Sequence, residues 1–218
     1  LNLVTCALVI AGGIGFPVIF ELLLKHFSWE RQSMHTRVVL STTFALLLFG
    51  TLLLKLTENI SWLGAFFYSV SARTAGFSTY NLGDFSTAGL LVVSGLMFIG
   101  ASPASTGGGI KTTTFFVLLS GIYSAATNHS ERAFHNAIPK DAFRKASVIS
   151  ILAAFLVMTA SYLMLIFDPQ LSLRDVLFEM ISAFSTSGLS TGITPQLSAQ
   201  SRILSIIMMY IGRLGPLT

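Results

Sequence analysis

The sequence predicts an all-α polytopic membrane protein built from repeats, each comprising a helix, a short re-entrant helix with a glycine loop, and a second helix. Three observations support this prediction. Hydrophobic residues make up 53% of the 218 residues and charged residues only 10%, whereas soluble domains carry roughly 25% charged residues. Long charge-free stretches alternate with short polar connectors. One block of sequence also recurs at a fixed offset.

The charge-free stretches are long enough to cross a bilayer. A helix needs about 20 apolar residues to span ~30 Å of hydrocarbon. Stretches without Asp, Glu, Lys or Arg include residues 1–20, 38–54, 85–110, 146–167 and 180–201. We therefore expect crossing helices over residues 2–23, 36–55, 86–126 and 146–167, and a last one that begins near Ser201.

The two ends suggest a piece of a longer polypeptide. The chain begins at Leu1 with neither a methionine nor the charged region that opens a signal peptide. It stops at Thr218, inside the last predicted helix. We therefore expect a fragment.

Two polar connectors, residues 25–37 and 127–145, set the orientation. Their basic residues are Lys25, Arg31 and Arg37 in the first and Arg132, Lys140, Arg144 and Lys145 in the second. The positive-inside bias puts both connectors in the cytoplasm. The net charge of +4 comes largely from these loops rather than from a basic face with interleaved aromatic residues, so we expect no nucleic-acid partner.

Two apolar segments are too short to cross. Residues 62–73 and 174–185 are only ~18 Å long as helices at 1.5 Å per residue. Each follows a helix that runs outward and precedes one that runs inward, so each must enter and leave on the outer side. Non-helical backbone at membrane depth is tolerated only where protein or a water-filled path satisfies its polar groups. These segments therefore indicate a pore.

An internal repeat joins these elements. One offset, 112 residues from Thr74 to Thr186, superposes residues 74–79 on 186–191 and residues 97–100 on 209–212. A looser third copy puts Gly13 and Pro17 at the spacing of Gly212 and Pro216.

Each repeat block begins with the pattern T-x-G directly after a half-span helix. A cation filter replaces water with backbone carbonyl oxygens, and glycine permits the backbone conformation that this requires. The half-helix directs its negative C-terminal end at the same point, which favours a cation. The unit therefore has the physics of a potassium-channel subunit. Ordinary turns between helices are the alternative explanation of the glycine loops.

These motifs resemble the membrane subunits of the Trk/Ktr/HKT potassium transporters, in which four such repeats surround one pseudo-fourfold pore. By this resemblance, residues 1–24 end the second repeat, residues 36–126 form the third, and residues 146–218 form a truncated fourth. The final residues, 212–218, are most similar to the Ktr-type pore subunit.

The resemblance implies a filter whose backbone carbonyls bind K⁺, and no catalytic residue. Its segments are Thr74, Ala75, Gly76 and Phe77 in the third repeat and Thr186, Ser187, Gly188 and Leu189 in the fourth. Within them, the side chains of Ala75, Phe77, Ser187 and Leu189 are expected to face away from the pore axis.

The stretch 86–126 is too long for a single crossing helix, and the resemblance implies a gate within it. As one helix it would be ~60 Å long, about twice the hydrocarbon core, so it is expected to break. By the resemblance, residues 100–111 form an intramembrane gating loop. The expected gating residues are Gly107, Gly108, Gly109, Lys111 and Arg213.

The resemblance also implies partners. It predicts a multi-pass protein of the plasma membrane that forms a homodimer on a ring of cytosolic nucleotide-binding regulatory subunits. No cofactor is bound covalently, K⁺ is the transported ion, and nucleotide acts only through the regulatory partner. The choice between K⁺ and Na⁺ stays open because it depends on a first pore loop that is not in this sequence.

Several features have a second interpretation. Arg73 either braces the filter loop or is a surface charge at the outer vestibule, and Arg213 either gates or belongs to a structural ion pair. The small residues at 100–109 either gate or serve close helix packing. The same stretch superficially matches a phosphate-binding loop, but Ile110 stands before Lys111 where that motif needs glycine.

Two other function classes are weaker. A secondary transporter also uses broken helices, but typically in inverted repeats, whereas these repeats share one orientation. An intramembrane enzyme needs a catalytic pair at depth, and no Asp or His lies inside a predicted span.

Overall fold

The computed structural model describes residues 2–26, 28–127, 132–134, 136–139 and 141–215. Within these residues the fold is all-α apart from a hairpin of two-residue strands, Arg132–Ala133 and Asn136–Ala137, so the predicted fold class is confirmed. The helices are α1 (Asn2–Ile14), α2 (Phe16–Leu24), α3 (Met34–Thr57), α4 (Trp62–Thr74), α5 (Thr87–Phe98), α6 (Thr112–Thr127), α7 (Ala142–Phe167), α8 (Leu173–Ser185) and α9 (Ala199–Leu214).

Helices α3 and α7 have the length and apolar composition to cross a membrane, and in the described residues no other single helix does. Large apolar side chains on both are open to their surroundings, for example Phe44 at 69% and Phe155 at 65% exposure. Such surfaces are unfavourable in water and suit contact with lipid.

The prediction of one helix over residues 2–23 is wrong. Helices α1 and α2 meet at Gly15 with a bend of 94°. Gly15 has φ +91°, and a β-carbon there would lie 2.6 Å from the carbonyl oxygen of Pro103, so only glycine fits. Pro17 lies in the first turn of α2, where its missing N–H costs no helical hydrogen bond. Gly215 after α9 has a similar conformation, with φ 79° and ψ 142°.

The long stretch 86–126 is two helices, α5 and α6, separated by residues 99–111, which we call the 99–111 loop. The loop turns back on itself. Its ends pair as a parallel bridge between Ile99 and Ile110, and Thr112 N–H donates to the carbonyl of Ala101 at 3.2 Å. These bonds satisfy backbone groups at both ends of the break, as membrane depth requires.

Serine begins five helices in the same way. The hydroxyl of the residue before each helix accepts a backbone N–H three residues on, which satisfies one of the free donors at a helix start. These residues are Ser33, Ser61, Ser86, Ser172 and Ser198.

Two buried clusters hold the repeats. One is centred on Tyr68, Val93 and Met97 of the third repeat, and the other on Met164, Met180, Phe184 and Met208 of the fourth. Phe178 and Leu189 belong to the fourth repeat but pack in the first cluster. The two repeats therefore share a core, which fixes the two half-helices relative to each other.

Candidate functional site

The half-helices α4 and α8 end at two segments, residues 74–77 and 186–189, which we call the filter segments. The structure brings them into contact. A β-carbon built on Gly76 would lie 2.1 Å from the carbonyl oxygen of Ser187, far inside van der Waals contact. Gly76 also has φ +68°. Both facts require glycine at this position.

Gly188 has the same kind of backbone but different surroundings. Its φ is +89°, and a β-carbon there would meet nothing within 4 Å among the described residues. It borders a groove of about 260 Å³ between α8 and α9. Conformation alone therefore selects glycine at 188, whereas conformation and contact both select it at 76.

The threonines of the filter segments differ in conformation. Thr74 is the last residue of α4. Thr186 follows the end of α8 and is left-handed, with φ 53° and ψ 31°, an uncommon conformation for a residue with a β-carbon.

Side chains inside the filter segments also lie differently. Phe77 is 57% exposed and Leu189 only 2%. The carbonyl of Phe77 accepts a hydrogen bond from Ser71 Oγ at 2.6 Å. Ser187 is buried, and its hydroxyl has no hydrogen-bond partner among the described residues.

One buried side chain holds the backbone just after each filter segment: Tyr68 in the third repeat and Glu179 in the fourth. Neither was identified from the sequence. The Tyr68 hydroxyl accepts the N–H groups of Thr79 and Tyr80 and donates to the Tyr80 carbonyl. In the fourth repeat, Glu179 Oε1 accepts the hydroxyls of Ser190, at 2.6 Å, and Thr194. The 112-residue offset aligns Tyr68 with Met180 rather than with Glu179, so the repeat gave no signal for this pair.

Two acidic clamps, also missed, join the end of α3 to the start of α5 and the end of α7 to the start of α9. Glu58 Oε1 accepts the N–H and hydroxyl of Ser86, at 2.9 and 2.6 Å. Asp168 Oδ2 accepts the same two groups of Ser198, at 3.1 and 3.0 Å. Hydrogen bonds from Ser201 and Ser198 hold the pKa of Asp168 below its ordinary value. The serines are 112 residues apart but the acids are 110, which hides the clamp from the repeat.

The tip of the 99–111 loop, Gly107 and Gly108, lies against the filter segments, and we call it the loop apex. A β-carbon on Gly107 would lie 2.7 Å from Thr74 Cγ2 and 3.4 Å from the carbonyl of Arg73. One on Gly108 would lie 2.7 Å from Thr186 Oγ1 and 2.9 Å from the carbonyl of Ser185. Equivalent residues of the two repeats therefore contact adjacent residues of the apex.

Three cationic side chains hold carbonyls of this loop. Arg73 donates to Gly100 at 3.3 Å, Lys111 to Gly107 at 2.7 Å, and Arg213 to Thr106. The ion pairs found in the described residues involve other groups. The alternative of an ion pair for Arg213 therefore has no support in this part of the chain. Arg73 is only 5% exposed, so its interpretation as a surface charge is wrong, and it binds the 99–111 loop rather than a filter loop.

Close backbone packing completes the arrangement. The 99–111 loop bonds to the end of α1 through Ser102 N–H and the Gly13 carbonyl at 3.1 Å. A β-carbon on Gly100 would lie 1.9 Å from the Gly108 carbonyl, and one on Gly212 would lie 1.7 Å from the Phe184 carbonyl. Glycines at these aligned positions thus serve close packing. In the described residues no three His, Cys, Asp or Glu side chains are grouped to hold a metal ion.

The fold and the site define a polytopic membrane protein of the cation-transport class, in which repeated half-helices converge on the 99–111 loop. The family model described as "TrkH: Cation transport protein" matches residues 33–218. The chain belongs to this family of cation transport proteins, which is not a family of enzymes.

Named relatives agree with this assignment. The chain is 37% identical over 97% of its length to "Ktr system potassium uptake protein B" of Vibrio alginolyticus. It is 36% identical over 99% to "Ktr system potassium uptake protein D" of Bacillus subtilis. It is also 33% identical over its whole length to "Potassium/sodium uptake protein NtpJ" of Enterococcus hirae. It covers 49%, 51% and 51% of these three proteins, so it spans about half their length.

A solved structure has the same fold. The potassium transporter TrkH of Vibrio parahaemolyticus superposes with a TM-score of 0.77 over 98% of this chain and 49% of that one, at 16% identity. The predicted resemblance to the Trk/Ktr/HKT transporters is therefore confirmed, and this structural likeness concerns the fold alone.

Proposed function

We propose that this chain is part of the pore of a potassium uptake system and that its filter segments select K⁺ through their backbone carbonyls. The observation that carries the proposal is the direct contact of the two filter segments at Gly76 and Ser187, with the loop apex immediately below. A repeat-built transporter with substrate bound between broken helices would not need this contact.

The conduction step is an exchange of ligands. A cation that enters from outside exchanges water for carbonyl oxygens of the filter segments. The C-terminal ends of α4 and α8 add negative potential there. The chain forms and breaks no covalent bond in this process. The ion moves down its electrochemical gradient.

The two repeats account for half of the pore. Gly76 packs on the next filter segment, and by the same relation the open side of Gly188 fits the filter segment of a further repeat. We propose that the full-length protein has four repeats around a pseudo-fourfold axis, in keeping with the half-length coverage of its relatives.

The 99–111 loop is the proposed gate. Its apex lies against both filter threonines, and Lys111 and Arg213 hold its carbonyls. A positive charge in the path repels a passing cation. In the closed state the loop and its cations block the path, and in the open state they withdraw together.

The proposed setting is the plasma membrane, with the full-length protein as a homodimer on a cytosolic ring of nucleotide-binding regulatory subunits. The word "system" in the names of the Ktr relatives supports further components. The basic connectors, residues 25–37 and 127–145, are the proposed cytoplasmic surface.

A second candidate is a transporter that also carries Na⁺. The name of the Enterococcus hirae relative, a potassium/sodium uptake protein, favours keeping it. Its test is the same as that of the first candidate.

The experiment is ion flux into liposomes that contain the full-length protein. We expect uptake of K⁺ and Rb⁺ well above that of Na⁺. Comparable Na⁺ uptake would favour the second candidate, and no cation uptake by folded protein would reject the proposal. The Gly76→Ser variant is the control for leak: cation uptake that is the same in this variant and in the parent bypasses the filter.

A further inference from the structure

Gly108 is surrounded by three oxygen atoms from the end of α8, the filter and the end of α9. A β-carbon on Gly108 would lie 2.7 Å from Thr186 Oγ1, 2.9 Å from the Ser185 carbonyl and 3.1 Å from the Gly212 carbonyl. The Gly108 N–H donates to Thr186 Oγ1 at 3.1 Å. The point where a β-carbon would stand is therefore within about 3 Å of three oxygens, and the Gly108 N–H binds one of them.

Two of these oxygens have no hydrogen-bond donor in the described residues. Ser185 ends α8, and no N–H group there reaches its carbonyl. The helical donor for the Gly212 carbonyl would be residue 216, which is a proline and has no N–H. Both carbonyls belong to helix C-termini, which carry negative partial charge.

The third oxygen is held in place by a strained backbone. Thr186 is left-handed at φ 53°, a conformation that persists in residues other than glycine only where the surroundings impose it, often at functional sites. Thr74, its partner in the repeat, is helical and presents its methyl group to the loop apex. Of the two described filter threonines, only Thr186 therefore presents its hydroxyl oxygen to the loop apex.

We infer that the Ser185 carbonyl, Thr186 Oγ1 and the Gly212 carbonyl form a binding site for a partly dehydrated monovalent cation, and that Gly108 occupies this site when the loop is closed. The inference rests on the proposed function and deepens it. Large monovalent cations bind neutral carbonyl and hydroxyl oxygens. The ion and the loop apex use the same ligands, so each excludes the other.

This exclusion makes the transported ion an opener of its own gate. When a cation reaches the site, it displaces the Gly108 N–H from Thr186. The ion also repels the two cationic side chains that hold loop carbonyls, Lys111 of the loop itself and Arg213 of α9. The loop position should therefore depend on K⁺ concentration at constant ionic strength.

The test measures burial of a residue within the 99–111 loop, on its side away from the loop apex in sequence. Ser102 is fully buried and bonded to Thr112, so a Ser102→Cys thiol reacts only when the loop moves. The variant is made in full-length protein with Cys6, itself buried, changed to alanine. Thiol labelling is followed in liposomes as K⁺ replaces a large organic cation at fixed ionic strength.

We expect the labelling rate to rise several-fold with K⁺. The rise should persist in Thr186→Ser, which keeps the hydroxyl, and in Thr74→Val, the matched change in the other repeat. It should be lost in Thr186→Val. A labelling rate independent of K⁺ in protein that takes up K⁺ normally would overturn the inference but not the proposed function.

Two further outcomes are decisive. Equal loss of the K⁺ response in Thr74→Val and Thr186→Val would show that the cluster around Gly108 is not the site. Retention of the full response in a folded, transporting Thr186→Val protein would reject the hydroxyl as a ligand. Absence of K⁺ uptake by the parent protein tells against the proposed function instead.

Discussion

Thr74 and Thr186 lie at the same place in two repeats, at the end of a half-helix and two residues before a filter glycine. Thr74 is helical and presents a methyl group to the loop apex, whereas Thr186 is left-handed and accepts a hydrogen bond from it. The chain after Thr74 is held by a phenol, and the chain after Thr186 by a carboxylate. Equivalent backbone positions thus make different bonds. Of the two threonines, only Thr186 makes a hydrogen bond to the loop apex.

The largest expected effect comes from the filter glycines. In Gly76→Ser the new side chain meets the Ser187 carbonyl, where a β-carbon would lie at 2.1 Å, and the residue must also keep φ +68°. A positive φ costs a residue with a β-carbon roughly 1–2 kcal/mol, and overpacking adds about 1–3 kcal/mol. We expect the K⁺-to-Na⁺ uptake ratio of the full-length protein to fall about tenfold or more.

Gly188→Ser sharpens the comparison. It carries the conformational cost at φ +89°, but no described residue lies within 4 Å of the new β-carbon. We expect the uptake ratio to fall less than in Gly76→Ser. Unchanged ratios for both variants would reject the filter segments as the selective element.

The next effect concerns the 99–111 loop. Arg213→Ala removes the bond to the Thr106 carbonyl, and a hydrogen bond from a charged group contributes about 1.5–3 kcal/mol. The closed state loses this contribution, so we expect K⁺ flux to rise about tenfold while the K⁺-to-Na⁺ ratio stays as in the parent. Deleting Gly107, Gly108 and Gly109 should act in the same direction.

Arg202→Ala is the matched control for this change. Arg202 lies near the start of the same helix and donates to the Pro195 carbonyl at 3.1 Å, away from the loop. We expect parental flux from it. If Arg213→Ala and the deletion both fold yet conduct no faster than the parent, the loop serves packing and the gate lies elsewhere.

A smaller effect is expected at the braces beyond the filter segments. Tyr68→Phe keeps the ring but leaves the N–H groups of Thr79 and Tyr80 without their acceptor. Thr79 and Tyr80 are exposed, so water can replace the acceptor in part, and each lost hydrogen bond costs about 0.5–1.5 kcal/mol. We expect a lower melting temperature and a modest fall in the uptake ratio.

The fourth-repeat counterpart, Glu179→Gln, keeps an oxygen that can accept from Ser190. It should therefore be milder than Tyr68→Phe in melting temperature. The opposite order would mean that the carboxylate of Glu179 contributes more to the stability of the fold than the hydroxyl of Tyr68 does.

Local sequence predicted much of this arrangement, because short-range patterns carry it. The T-x-G blocks, the half-length helices and the excess length of residues 86–126 are all visible within a few turns of chain. The bend at Gly15 was missed because its cause is the carbonyl of Pro103, far away in sequence. The partner of Arg73 was missed for the same reason, since Gly100 lies beyond the filter segment and the next helix.

The repeat does not extend to the side chains that hold the filter segments and the helix ends. It implies equal roles for aligned residues, but Tyr68 and Glu179, and also Glu58 and Asp168, perform matching tasks from unaligned positions. Each of these sites needs a hydrogen-bond acceptor at a suitable distance. Side chains of different length provide it from positions that are not 112 residues apart, so a search at that offset does not find them.

The smallest expected effect is on melting temperature, and it concerns the acidic clamps at Asp168 and Glu58. The pKa of Asp168 is held below its ordinary value by bonds from Ser201 and Ser198. A lowered pKa in the folded state means that ionised Asp168 stabilises the fold above its unfolded pKa of about 3.9, and that this contribution is lost as pH falls through the folded value. Asp168→Asn should therefore lower the melting temperature by about 2–4 °C near neutral pH, and the difference from the parent should vanish well below pH 4.

Glu58→Gln makes the matched change at the clamp of the third repeat, where Ser86 supplies the same two donors. If the Asp168→Asn difference is the same at pH 7 and below the folded pKa, the charge of Asp168 is irrelevant and the clamp acts through shape alone.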